Sequence, residues 1–105
     1  AAGDMIGRRG RAKMAKFVAL LTFGPGREAR LSVRPRHREY LTSLLERGKL
    51  IASGPFADDQ GALLIYEAEN RDEAQALLDA DPYTAAGVLA GVEIREWVQV
   101  LPPQS

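Results

Sequence analysis

Two segments of this chain, 17–23 and 62–68, are apolar at consecutive positions: Leu63 and Ile65 interleave with Leu64 and Tyr66, and Val18 and Leu20 with Ala19 and Leu21. Their shortness and the breaker Gly24-Pro25 favour strands over helices. Successive side chains of a strand point to opposite faces, so a sheet built on these two segments needs an apolar cover on both sides. With 105 residues there is room for one core. The cover must therefore come from a few helices or from a second copy of the chain.

The remaining pattern supplies two helices. Gly26 to Val33 reads as a polar, Arg-rich loop leading to Pro35, a residue favoured in a first helical turn. Tyr40, Leu41, Leu44 and Leu45 then recur at helical spacing until Gly48 stops them. Leu50 to Ser53 is a second short strand ended by Gly54-Pro55, and the turn Ala57 to Gly61 joins it to the third, Ala62 to Ala68. Asn70, three residues before Glu73, marks a capping-box-like start for a helix bearing Ala74, Leu77 and Leu78, which Asp81-Pro82 ends. Val92 to Val100 alternates as a last strand, closed by Leu101-Pro102-Pro103. The order β-α-β-β-α-β is the α+β, ferredoxin-like split arrangement: a four-stranded antiparallel sheet with two helices on one face. Two helices leave the other face bare, which predicts a homodimer with the sheets packed about 10 Å apart.

Composition removes several function classes. Lys plus Arg and Asp plus Glu number 14 each, so the net field that draws proteins onto nucleic acid is missing. The cations are uneven, with Arg8, Arg9, Arg11 and Lys13 against Asp4 alone near the start. Residues 1–15 are expected to be a flexible basic leader or to precede an alternative start at Met14, with a domain over 16–101 and a tail over 102–105. No run of about 20 apolar residues could span a bilayer. Zero cysteines exclude disulfides and thiolate chemistry and fit a cytoplasmic address. One histidine with scattered carboxylates lacks the ligand count of a metal site, and Gly24-Pro25-Gly26 is a turn rather than a phosphate loop, so neither metal nor cofactor is expected.

Helical residues advance by about 100°, which sets His37 in the apolar stripe of the first helix with Tyr40 and Leu41. On the second helix, Ala74, Leu77 and Leu78 continue at the same spacing to Asp81. In a β-α-β-β-α-β fold these positions meet at one sheet edge, which also receives Ser53, Gly54 and Pro55 and the Asp58-Asp59 turn. Polar groups converging on an apolar rim are the usual mark of a small-molecule pocket. A carboxylate beside an imidazole fixes its tautomer and favours its charged form, giving a general base or acid near neutral pH. The plainer reading leaves His37 bonded to a backbone group and Asp81 as the cap of its own turn. Arg27, Arg30, Arg34, Arg36 and Arg38 crowd the approach to the expected helix N-terminus, a place suited to an anionic ligand. Of these only Arg34 is read as a binding residue, and the others as solvated and balanced by Glu28 and Glu39. Burial is favoured for Tyr83 and Trp97.

Val33 to Leu41 (VRPRHREYL), Gly48 to Pro55 (GKLIASGP) and Asp81-Pro82-Tyr83, in this order and spacing, resemble the YciI-like proteins, a match running from about Ala15 to Val100. The resemblance implies a dimeric α+β barrel, related in architecture to muconolactone isomerases and small monooxygenases, with a site centred on a histidine and an aspartate. Those residues match His37 and Asp81, and the Ser-Gly-Pro segment matches Ser53 to Pro55. One branch of the family acts as a dehydrochlorinase on a chlorinated hydroxyquinol, which implies cofactor-free proton transfer or elimination. The Arg-rich leader departs from the family pattern. Two readings of function follow: a lyase- or isomerase-type enzyme acting on a small anionic or phenolic substrate, with His37 and Asp81 catalytic and Arg34, Ser53, Gly54 and Pro55 binding; or a non-catalytic dimer that binds a metabolite or a partner protein.

Overall fold

A computed structural model describes residues 14–103, so the expected leader lies almost wholly outside the described residues. The described chain runs β1 (Ala15–Phe23), α1 (Arg27–Glu46), β2 (Leu50–Pro55), β3 (Gly61–Ala68), α2 (Arg71–Asp79), α3 (Pro82–Ala85) and β4 (Leu89–Trp97). The strands form one antiparallel sheet in the order β2-β3-β1-β4, as expected of a ferredoxin-like α+β fold. The core lies between the sheet and the helices: Phe17, Ala19 and Leu21 of β1 and Leu64 and Tyr66 of β3 face Leu41 and Leu44 of α1 and Leu77 and Leu78 of α2. No helix among the described residues is long and apolar enough to cross a membrane.

The opposite sheet face is as apolar as the sequence suggests. Val18 pairs with Ile65 and Leu20 with Leu63, and cross-strand partners share a face. These four half-buried side chains therefore form one patch on the side away from the helices, flanked by Trp97, which pairs with Lys16 and is 42% exposed.

Three expectations need correction. The segment 26–33 is not a loop: α1 begins at Arg27, and Pro35 lies inside it. Its buried residues, Arg30, Val33, His37, Leu41 and Leu44, recur at steps of three and four, so the inward stripe simply begins with an arginine. Pro35 is exposed, so the hydrogen bond its missing N–H removes is lost on the solvent side. The chain after Asp81-Pro82 is a further helical turn, α3, begun by Asp81 rather than ended by it. The last strand is Leu89–Trp97, not 92–100, because Gly24 donates to the carbonyl of Val88 and a bulge at Thr22/Phe23 brings Leu89 opposite Phe23.

Other local signals act as expected. Gly48, at φ +74°, ends α1 with its N–H donating to Leu45, and Lys49 donates to Leu44. Asn70 caps α2 by accepting from the Glu73 N–H at 2.8 Å, while Glu73 accepts from the Glu69 N–H at 2.7 Å and from Lys49 Nζ at 2.8 Å. Lys49 and the Glu69 N–H hold the Glu73 carboxyl below the usual range.

Candidate functional site

His37 and Asp81 meet. The Nδ1–H of His37 donates to Asp81, with Nδ1 at 2.8 Å from Oδ1 and 3.0 Å from Oδ2. Asp81 is wholly buried and His37 nearly so. A buried carboxylate is costly unless paired, and Asp81 has a second donor: Oδ1 accepts the Tyr83 N–H at 2.9 Å, which makes it the N-cap of α3. The capping role and the histidine role are thus held by one side chain. With Nδ1 as the donor, the neutral ring carries its lone pair on Nε2, which makes no hydrogen bond among the described residues.

Tyr83, buried within the chain and lining the cavity rather than held for a dimer contact, lies parallel on the imidazole, with centroids 3.8 Å apart and planes 6° apart. Phe23 meets the Tyr83 ring in a T-shaped contact, with centroids 6.0 Å apart and planes at 85°. Phe23 in turn carries the guanidinium of Arg30 over its face, 3.9 Å from the centroid. A continuous stack therefore runs Arg30, Phe23, Tyr83, His37, Asp81. Burial pushes the Tyr83 phenol up, against the pull of the Arg30, Arg34 and Arg38 charges. Burial together with the Asp81 charge also raises Tyr40 and Tyr66. All three phenols are protonated at neutral pH; Tyr40 donates to the Leu77 carbonyl at 2.6 Å, while the Tyr66 hydroxyl is buried without a partner.

This stack walls a cavity of about 170 Å³ between α1 and the ends of β2 and β3. Ser53, Gly54 and Pro55 line it from the edge strand, and Ser53 pairs with Leu64, whose side chain faces the helices, so the Ser53 side chain shares that face. Arg34 lines it from α1, as do Arg30 and Arg38. Every expected site residue except Asp81 thus borders one hollow, and Asp81 stands behind His37. Because α1 starts at Arg27, positive potential here comes from guanidinium groups on the helix face rather than from a helix terminus.

Arg30 is the main correction to the expected site. It is 4% exposed rather than solvated, and NH1 and NH2 bond Asp59 at 3.2 and 3.0 Å. Arg27 Nε reaches the same carboxylate at 3.3 Å, and the two arginines hold the Asp59 carboxyl below its ordinary range. Arg30 lies seven positions before His37 on the same stripe, which is the signal that could have found it. No group of three His, Cys, Asp or Glu side chains among the described residues is arranged to hold a metal ion.

Known proteins resemble this chain in sequence and in fold. The sequence profile of the YCII-related domain matches residues 15–98. The protein YciI of Escherichia coli is 41% identical over 83 residues, covering 70% of this chain and 85% of that protein. Among solved structures, 5-chloro-2-hydroxyhydroquinone dehydrochlorinase from Burkholderia phenoliruptrix, in complex with 2,5-dihydroxybenzoquinone, superposes with a TM-score of 0.72 at 28% identity, over 85% of this chain and 99% of that one. A dimeric ferredoxin-like protein of unknown function from Thermobifida fusca shares the fold at a TM-score of 0.51 and 14% identity, over 85% and 93% of the two chains. The chain belongs to the YCII-related family.

Proposed function

We propose that this protein is a cofactor-independent enzyme that moves a proton on a small, ring-sized anionic or phenolic substrate, by elimination or isomerisation. The observation that carries the reading is the buried His37–Asp81 bond, which leaves an otherwise unbonded Nε2 on a ring that lines a partly open hollow. A cavity of about 150 Å³ accepts benzene, so about 170 Å³ suits one six-membered ring. Nε2 of His37 takes the proton, and Asp81 holds the tautomer and stabilises the imidazolium that forms. In an elimination the electron pair released from the broken C–H or O–H bond forms the new double bond, and the leaving group departs as an anion. Arg34 would hold one substrate oxygen, and Ser53 with the Gly54-Pro55 backbone a second. The likeness to the dehydrochlorinase supports this reaction class.

The test is chloride release from 5-chloro-2-hydroxyhydroquinone, followed against the spontaneous rate. We expect turnover by the native protein and none by His37→Gln with its fold intact; equal rates for the two would remove His37 from the mechanism. Binding of 2,5-dihydroxybenzoquinone without any turnover would instead favour the non-catalytic, metabolite-binding reading.

The same proposal includes a homodimer through the outer sheet face. The patch of Val18, Leu20, Leu63 and Ile65 has no helix over it among the described residues, and a second copy offers an identical apolar face, which is the geometry of a two-fold contact.

A further inference from the structure

Arg30 combines features that a purely structural arginine does not need. Its guanidinium is almost completely buried, fixed from one side by the Phe23 ring, and it lines the cavity. Of its donors, NH1 and NH2 are engaged end-on by Asp59, while Nε is buried with no partner among the described residues. A guanidinium offers its strongest fork to a carboxylate or other planar oxyanion, and the side-on fork uses Nε.

Asp59 is the less committed member of this pair. It sits on the β2–β3 turn with its side chain 43% exposed and takes a left-handed conformation, φ +61°, which aspartate tolerates better than most residues. Its Oδ2 is shared between Arg30 and Arg27, and Arg27 is largely exposed. Asp59 can therefore leave Arg30 and keep a cationic partner. Arg34 and Arg38 also line the cavity and form no ion pair among the described residues, so the hollow is richer in positive than in negative charge.

We infer that Arg30 is the residue that recognises the ligand's oxyanion, and that Asp59 is a resident counter-ion occupying the oxyanion's place until the ligand enters. This rests on the reading of the cavity as a site for a small anionic ring compound, and it names what that ligand must carry: a carboxylate or phenolate on the ring, directed to Arg30. The stack of Phe23 and Tyr83 between Arg30 and His37 fixes the distance from the anchored oxyanion to the imidazole. Arg30 is thus a specificity-determining residue. Asp59 weakens binding of the right ligand in exchange for a neutralised guanidinium in the empty protein.

The experiment compares 4-hydroxybenzoate with its neutral isostere 4-hydroxybenzamide by calorimetric titration of native protein, Asp59→Asn and Arg30→Gln. Asparagine tolerates the same left-handed turn, and position 59 is partly exposed, so Asp59→Asn keeps the fold. We expect the native protein to prefer the benzoate. Asp59→Asn should bind the benzoate about tenfold more tightly with the amide unchanged, and its melting temperature should rise more steeply with added benzoate than that of the native protein. Arg30→Gln should bring benzoate affinity down to that of the amide. Unchanged or weaker benzoate binding by Asp59→Asn overturns the counter-ion role, and a preserved preference in Arg30→Gln transfers recognition to Arg34 and Arg38, with the small-molecule reading intact in both cases. Binding of neither compound to any of the three proteins overturns that reading and this inference together.

Discussion

Replacing Asp81 by asparagine removes one charge while leaving the side-chain shape, so it isolates what the carboxylate does for His37. To keep capping α3, the asparagine carbonyl must stay on the Tyr83 N–H, where Asp81 Oδ1 now lies at 2.9 Å. The amide nitrogen then falls where Oδ2 stands, 3.0 Å from Nδ1 of His37. The carbonyl oxygen, 2.8 Å from Nδ1, still accepts the Nδ1–H, but the amide N–H now opposes that donor, so the charge-assisted bond becomes a weakened neutral one and the Nε2-protonated ring gains population. A charge-assisted hydrogen bond is worth about 1.5–3 kcal/mol and a neutral one about 0.5–1.5, so the expected loss is about 1–2 kcal/mol, or a melting-temperature drop of about 5–15 °C for a domain of this size. Asp81→Ala loses the cap as well, about a further 1 kcal/mol, and leaves two buried N–H groups unpaired, so it should be clearly worse. The chain has a single histidine, which makes its imidazole nitrogen resonances self-assigning. The native protein should give the pattern of an Nδ1-protonated ring, and Asp81→Asn a pattern shifted toward the Nε2-protonated ring. With a turned-over substrate the wrong tautomer should cost up to about 10⁴ in rate, the scale seen when the orienting carboxylate of a catalytic triad is neutralised. An asparagine variant that keeps the native tautomer and melts within a degree or two of the native protein would refute the claim that Asp81 orients His37.

Leu20→Arg puts a charge in the centre of the outer sheet patch, beside Leu63; light scattering should find half the native mass, and an unchanged mass would exclude this face as the contact. Tyr66→Phe deletes a buried hydroxyl that has no partner, so urea unfolding at pH 7 should find it neutral or more stable by up to about 1 kcal/mol. Burial raises the Tyr66 phenol above its unfolded value; only the unfolded chain then loses this proton first, so native stability should fall as pH rises beyond about 10, and less steeply in Tyr66→Phe. At Gly61 a Cβ would overlap the carbonyl oxygen of Leu21, a backbone atom that no rotamer change can move. Gly61→Ala should therefore cost about 2–3 kcal/mol in urea unfolding, and by shifting the start of β3 it should loosen the Asp59–Arg30 pair.

The site was readable where local periodicity and chain topology agree. His37 lies on a stripe with Leu41 and Leu44 that any helix there must bury, and the βαββαβ order brings the chain after α2 to the same sheet edge. Asp81 was reached by a partly mistaken route: the spacing from Ala74, Leu77 and Leu78 points inward, yet α2 ends at Asp79 and Asp81 is held inward by capping α3. What escaped is what distant residues decide. An arginine on the inward stripe hides the first two turns of α1, because the partners that accommodate its charge, Phe23 beneath it and Asp59 across it, lie elsewhere in the chain, Asp59 29 positions along. The start of β4 escaped for the same kind of reason, since its first pair, Phe23 with Leu89, depends on a register shift against β1 that leaves Ala90 as the extra residue. A polar residue at an apolar position thus reads as a loop when only its neighbours are considered, and as a site when its partners are known. Arg30 and His37 share that character and that helix face, which is why the residue that hid the helix is also the one most closely tied to what the cavity can bind.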